Sequence, residues 1–211
     1  MEYERFFIVG DIHGCLKMLK KLLNKIDWHP DRDKLFFLGD YIDRGEDSKG
    51  VIDLLMEISS ISPHVQCLMG NHEELFLDYI EGEDSETFFV NGGAETLKSY
   101  GMVNEISITP EHISFLKSLQ LMIELDDYYI VHAGFQPGID IQEQSATDLL
   151  WIREPFIYSD YDFGKTIIFG HTPFSFPLVM NNKIGLDTGA VFGNRLTCLE
   201  LPVMKFHSVE A

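Results

Sequence analysis

Phe6-Phe7-Ile8-Val9-Gly10-Asp11-Ile12-His13-Gly14 is the stretch from which the fold of this chain is read. Four apolar residues, too few for a helix, stop abruptly at glycine, an acid and an imidazole, which is the pattern of a buried strand ending in a polar turn. Further along the chain the pattern recurs. Leu35 to Leu38 runs into Gly39-Asp40, and Val65 to Met69 into Gly70-Asn71-His72. Tyr128 to Val131 runs into His132-Ala133-Gly134, and Ile167 to Phe169 into Gly170-His171. Amphipathic helix patterns separate the first runs. Leu16, Leu19, Leu22, Leu23 and Ile26 form one stripe, with Lys17, Lys20, Lys21 and Lys25 mostly facing away; Val51, Ile52, Leu54, Leu55 and Ile58 form the next. Alternation of strand and helix predicts parallel pairing, and in such sheets ligands collect beyond the carboxyl ends of strands. One Gly-Asp after a strand is an ordinary turn. Five polar clusters at five strand ends predict a site.

From about Asp78 to Met122 the pattern is more helical, with a break at Asn91-Gly92-Gly93, and after Asp126 short strands return at Tyr128–Val131, Thr166–Phe169, Ile184–Asp187 and Leu196–Leu201. The expected architecture is α/β (α+β): two packed mixed β-sheets flanked by helices. It forms one domain over 1–211, with a helical lobe inserted at roughly 74–122.

Composition narrows the function. The 211 residues carry 16 Lys and Arg against 34 Asp and Glu, a net charge of −18, so sequence-independent nucleic-acid binding and a polybasic membrane anchor are both disfavoured. No apolar stretch approaches the ~20 residues of a membrane span, and Met1-Glu2-Tyr3-Glu4-Arg5 lacks the basic start of a signal peptide. Three cysteines without a Cys-x-x-Cys indicate neither a disulfide framework nor a thiolate zinc site. The expectation is a cytoplasmic protein without nucleic-acid or membrane partners. Its negative field should slow encounter with highly acidic substrates, and salt should raise their kcat/KM.

The clusters supply Asp11, His13, Asp40, Asn71, His132 and His171 as candidate metal ligands. Oxygen and imidazole donors without thiolate suit Mn, Fe, Zn, Co or Ni better than calcium. Asp11 and His13 lie two apart, so on an extended segment they would point the same way and chelate one ion. Six donors exceed one tetrahedral site; two divalent ions, Mn foremost, sharing Asp40 is the economical arrangement. Paired metals clamp an in-line displacement and lower the pKa of a bound water, so hydroxide attack on a phosphoester is the obvious use. Arg44 and Arg153 are candidates to hold phosphate oxygens, with Asn71 beside them. His72 is the candidate acid for the leaving oxygen. Asp43 is the candidate carboxylate that orients its imidazole and raises its pKa.

Gly10-Asp11-Ile12-His13-Gly14, Gly39-Asp40-Tyr41-Ile42-Asp43-Arg44-Gly45 and Gly70-Asn71-His72-Glu73 occur in that order. They resemble the three signatures of the phosphoprotein phosphatase branch of calcineurin-like metallophosphoesterases. His132-Ala133-Gly134 and Gly170-His171-Thr172-Pro173 look like its later metal-histidine motifs. The resemblance implies a four-layer sandwich, with Asp11, His13 and Asp40 on one metal and Asp40, Asn71, His132 and His171 on the other. It further implies an Asp43–His72 acid pair and phosphate binding by Arg44, with Arg153 matched through its Trp-x-Arg context. Asn91-Gly92-Gly93, Thr96-Leu97 and Ser99-Tyr100-Gly101 look like the bacterial group of Ser/Thr protein phosphatases, whereas Met69 departs from the Arg common there in eukaryotic and phage members. The implied substrates are phosphorylated proteins or small phosphoesters. A symmetrical bis(5'-nucleosyl)-tetraphosphatase or other nucleotide hydrolase is the alternative, and an inactive scaffold the remote one.

Other features have ordinary readings. His29, His64, His112 and His207 lie among proline and polar residues and are expected in solvent. The Lys17 to Lys25 stripe is expected to be a solvated helix face, and Trp151 packing. Gly164-Lys165-Thr166 imitates the end of a phosphate-binding P-loop, but Ser159 stands where that motif needs glycine and a strand pattern follows.

Overall fold

The apolar runs pair as two five-stranded sheets in a computed structural model that describes residues 5–101 and 108–211. In chain order the elements begin β1 (Phe6–Val9), α1 (Leu16–Lys25), β2 (Lys34–Phe37), α2 (Ser48–Ile61) and β3 (Val65–Cys67). Four helices follow: α3 (Asn71–Glu81), α4 (Ser85–Val90), α5 (Gly93–Ser99) and α6 (Pro110–Lys117). The second half comprises β4 (Met122–Glu124), β5 (Tyr128–Val131), α7 (Ala146–Trp151), α8 (Glu154–Ile157), β6 (Thr166–Phe169), β7 (Leu178–Val179), β8 (Lys183–Gly185), β9 (Arg195–Leu201) and β10 (Lys205–Glu210).

One sheet has the order β10-β9-β1-β2-β3, the other β4-β5-β6-β8-β7. Within them β1, β2 and β3 run parallel, as do β5, β6 and β8. Side chains explain the layering. Ile8, Phe36 and Leu38 of the first sheet meet Ile123, Ile130, Ile168 and Ile184 of the second, forming the inner core. The alternate residues Phe7, Val9, Leu35 and Phe37 pack outward on Leu19 and Leu22 of α1 and Val51 and Leu55 of α2. Tyr129, Val131, Ile167 and Phe169 pack outward on Leu149 and Phe156. Strands buried on both faces need no polar alternation, which is why the runs read as unbroken apolar stretches.

Several details differ from the sequence reading. Helix α3 begins at Asn71, so Asn71 and His72 form its first turn. Strand β8 ends at Gly185, and Leu186-Asp187 leaves the ladder. Strand β10, whose mixed residues gave no signal, pairs antiparallel with β9 from Lys205 to Glu210. Two of the four histidines expected in solvent are buried: His112 takes Tyr100 Oη at 2.8 Å and Asp53 at 2.9 Å, and His207 meets Glu200 at 2.7 Å. Polar neighbours in sequence gave no sign of these partners across the fold. Among the described residues no helix is long and apolar enough to cross a membrane.

Candidate active site

The carboxyl ends of β1, β2 and β3 open toward those of β5 and β6, and the five polar clusters meet there. Their backbones are tightly bent. Among the described residues six non-glycine positions have positive φ, and five of them are His13, Asp40, Asp43, Arg44 and His171. Each such conformation costs about 1–3 kcal/mol and persists only where surrounding structure enforces it. His13, at φ 45°, also overturns the reason given for its pairing with Asp11: β1 ends at Val9, and a left-handed turn, not an extended segment, carries the imidazole inward.

Asp40 lies at the centre. Its carboxylate is within reach of two groups of donor atoms, one with His13 and His72 and the other with His132 and His171, the atoms of each group lying within 4.8 Å of one another. His13 Nε2 is 3.5 Å from Asp40 Oδ2 and His132 Nε2 is 3.4 Å from Oδ1. Backbone carbonyls set the tautomers. Nδ1 of His13 donates to Ile42 O and Nδ1 of His132 to Leu38 O, each at 2.8 Å. Each Nε2 therefore turns a lone pair toward Asp40. His132 Nε2 also faces Asn71 Oδ1 at 3.1 Å. With Asp40 Oδ1, three acceptors then converge with no proton among them, which suits a cation.

The buried orphans agree with this. Asp11 accepts the His171 N–H at 2.8 Å through Oδ2, while its Oδ1 and His171 Nε2 have no hydrogen-bond partner among the described residues. Burial pushes the His13 imidazole down to about 3, His171 to about 2, and His132 in the same direction, so all three are neutral near pH 7, as metal coordination would require. Burial acts on Asp40 the other way, but on acidification the surrounding imidazoles, His132 foremost, gain charge before it and hold it well below the usual carboxylate range. Burial, then the charges of Asp187 and Asp40, push Asp11 well upward. These residues fit a pair of divalent ions, which would complete the orphaned donors and remove the repulsion among the acids.

The proton-handling pair sits beside this cluster. His72 Nδ1 lies 2.7 Å from Asp43 Oδ2, both buried. Burial lowers the His72 pKa, but the Asp40 charge and the Asp43 bond outweigh it and raise the imidazole above its ordinary value. With Nδ1–H committed to Asp43, Nε2 is turned toward the Asp40 cluster, 4.0 Å from Asp40 Oδ2. Arg44 reaches in from the same turn, its Nη1 3.1 Å from His13 Nε2 and its guanidinium 5.6 Å from the Phe192 ring centroid. Arg153 lies exposed between α7 and α8, and its charge is felt by His132, His171 and Asp187. The indole of Trp151 does more than pack: its Nε1 donates to Glu74 at 2.8 Å, and its ring stands 6.2 Å from that of His171.

Three residues of the site were not singled out from the sequence. Glu73 is fully buried and accepts the N–H groups of Asp40 and Tyr41 at 2.8 Å, Gly70 at 3.0 Å and Ile42 at 3.3 Å. It thereby fastens the bent loop of Asp40 to the start of α3. Burial and the Asp40 charge push its carboxyl up to about 8, while the N–H donors favour the carboxylate. Thr96 of α5 donates to Asp43 Oδ1 at 2.6 Å and accepts the Asp43 N–H at 2.8 Å. Asp187, beyond β8, accepts the Gly189 N–H at 2.9 Å, and burial raises it to about 6. Only its position after an apolar run could have marked it.

A family model for the calcineurin-like phosphoesterases matches residues 4–201. The chain belongs to that family. Serine/threonine-protein phosphatase 1 of Salmonella typhimurium (strain LT2) is 33% identical over 92% of this chain and 91% of its own length. The asymmetrical bis(5'-nucleosyl)-tetraphosphatase PrpE of Bacillus thuringiensis (strain Al Hakam) is 29% identical over 97% of this chain and 94% of its own length; its name falls within the nucleotide-hydrolase alternative, in the asymmetrical form. In fold, the cold-active protein-tyrosine phosphatase of a psychrophilic Shewanella superposes with a TM-score of 0.70 at 17% identity, covering 97% of this chain and 80% of that one. The calcineurin-like phosphoesterases bind two divalent metal ions, and this chain is a metal-dependent phosphoester hydrolase.

Proposed function

We propose that this metallophosphoesterase is a Ser/Thr-type protein phosphatase with broad phosphomonoesterase activity, working in the cytoplasm as one domain over 1–211 with a helical lobe at roughly 74–122. The observation that carries the reading is the buried His72–Asp43 pair beside the Asp40 cluster. A protonated imidazole next to a cation site suits an alkyl leaving group, which departs as a poor alkoxide unless it is protonated. The relatedness to a Salmonella Ser/Thr phosphatase supports the same substrate class.

In this reading Asp11, His13 and Asp40 hold one divalent ion and Asp40, Asn71, His132 and His171 the other, with Mn foremost and Fe, Zn, Co or Ni able to serve. Bound there, the ions would lower the pKa of the attacking water and offset phosphoryl charge. The chain's own residues do the rest. Arg44 and Arg153 orient the phosphoryl oxygens through planar guanidinium forks, helped by the amide of Asn71. His72 gives its Nε2 proton to the leaving oxygen while Asp43 holds Nδ1–H.

Turnover of a phosphoserine peptide and of diadenosine tetraphosphate at matched concentrations with Mn²⁺ tests the assignment. The peptide should be the better substrate, and His72→Asn should reduce its turnover by about 100-fold or more. A large preference for the nucleotide would move the chain to the tetraphosphatase alternative.

A further inference from the structure

Beside Arg44, between the start of α1 and the 3-10 turn Ala190–Phe192, lies a cavity of about 730 Å³. Lys17, Lys20 and Lys21 of α1 line it with Arg44, against the side chains of Glu46 and Asp47. Four cations in one cavity is an unusual concentration for a chain of net charge −18. Both acids are already engaged: Glu46 pairs with Lys17 at 3.3 Å, and Asp47 caps α2 by accepting the Gly50 N–H at 2.9 Å. Lys20 and Lys21 are exposed and make no hydrogen bond or ion pair among the described residues. Helix α1 strengthens the positive field, because its first turn carries no acidic residue and its N-terminus no side-chain cap. The lysines at i, i+3 and i+4 are solvent-exposed, as their helical spacing predicts, and they also form the rim of a hollow that continues from Arg44.

We infer that this cavity is a subsite for an Asp or Glu side chain flanking the phosphorylated residue of a peptide substrate, with its carboxylate meeting Lys20 and Lys21 beside Arg44. The inference rests on the protein-phosphatase reading. Two features favour a peptide over the second half of a dinucleotide. Among the described residues no aromatic side chain lines the cavity, and the neighbouring Phe192 ring is engaged over the Arg44 guanidinium at 5.6 Å, so the cavity walls offer no aromatic platform for a nucleobase. Its remaining walls include Leu16, Met18 and Val191, which suit the aliphatic part of an extended peptide.

The experiment compares two phosphoserine peptides, one flanked by Glu and one by Gln, on the wild-type protein with Mn²⁺ and on a K20Q/K21Q variant. Wild type should favour the acidic peptide by about five- to tenfold in kcat/KM, mostly through KM, as expected for two partly exposed ion pairs. The variant should lose that preference while hydrolysing p-nitrophenyl phosphate normally. A second measurement does not depend on peptide hydrolysis: the unphosphorylated Glu peptide should compete with p-nitrophenyl phosphate more strongly than the Gln peptide, and only when the lysines are present. Lysine-dependent competition without phosphopeptide turnover would defeat the phosphatase reading and leave the subsite standing. Equal handling of both peptides by wild type, or a variant impaired on diadenosine tetraphosphate alone, would overturn the subsite.

Discussion

Asp43 carries two burdens at once: it holds Nδ1–H of His72 at 2.7 Å, and its own backbone sits at φ 68°. Replacing it with Asn keeps the shape and removes one of the two negative groups that outweigh burial at His72. The sign follows directly. An acid catalyst works protonated, so activity falls as pH rises through its pKa, and lowering that pKa moves the alkaline limb to lower pH. Asp43→Asn should therefore shift the alkaline limb of kcat downward and cost a phosphoserine peptide on the order of 100-fold near neutrality. p-Nitrophenyl phosphate, whose leaving group needs little protonation, should lose much less. An unmoved limb with equal losses on both substrates would remove His72 from the acid role. This pair was legible in the sequence because ordered motifs supply a histidine and a carboxylate of recognisable type. Glu73 and Thr96 were not, since their roles consist of bonds to backbone and side-chain atoms that are distant in sequence, such as Thr96 to Asp43 across 53 positions.

At the level of elements, α5 and the segment that joins it to α4 brace the turn that carries Asp43 and Arg44. Thr96 of α5 braces Asp43, and Gly92, between α4 and α5, accepts the Arg44 N–H at 3.2 Å. Gly92 has φ 95°, and a Cβ there would lie 2.8 Å from Arg44 Cγ. Gly82, at the end of α3 with φ 84°, has nothing within 4 Å of a Cβ. Gly92→Ala and Gly82→Ala should both cost about 1–2 kcal/mol in urea unfolding through backbone strain. Only Gly92→Ala should also raise KM for a small phosphomonoester; a similar KM change in both would show that Arg44 is insensitive to the lobe. A second brace joins β1 to the loop before β2. Arg5 contacts both carboxylate oxygens of the buried Asp33, at 3.0 and 2.6 Å, and the His29 N–H adds a bond at 2.8 Å. Burial alone would raise the Asp33 pKa, but the Arg5 and His29 bonds bring it below its ordinary value. That stability is present above the unfolded value of roughly 3.9 and is lost as pH falls through the folded pKa. Asp33→Asn should cost about 1.5–3 kcal/mol at pH 7, and the gap from wild type should narrow at about pH 3. A gap independent of pH would mean the ion pair contributes little. The strands were readable from their apolar runs, whereas β10 and the Asp33 brace were not, because each depends on a partner supplied by the tertiary fold.

For the molecule as a whole, the motif order was enough to foresee two sheets closing over one site, since each strand end announced itself by a change from apolar to polar residues. The charge distribution was less legible. Helical periodicity assigned the α1 lysines to solvent, and only the packing of α1 beside Arg44 and the 190–193 segment turns their rim into a cavity wall. This alters what salt should do. Two divalent ions would bring the net charge from −18 only to −14 (−18 + 4), so at range the body still repels a dianionic phosphomonoester. Screening over a Debye length of about 10 Å at 0.1 M should raise kcat/KM for p-nitrophenyl phosphate, on the order of twofold, between about 10 and about 200 mM NaCl. An acidic peptide, carrying more negative charge, gains more relief at range but loses contact energy at Lys20 and Lys21, which are exposed and open to screening. The ratio of acidic to neutral peptide kcat/KM should therefore fall with salt in wild type, where loss of the lysine contacts dominates, and rise modestly in K20Q/K21Q, where only the relief of repulsion remains. A ratio that rises in wild type would mean that long-range repulsion outweighs the lysine rim, leaving the negative body as the main electrostatic selector of substrate.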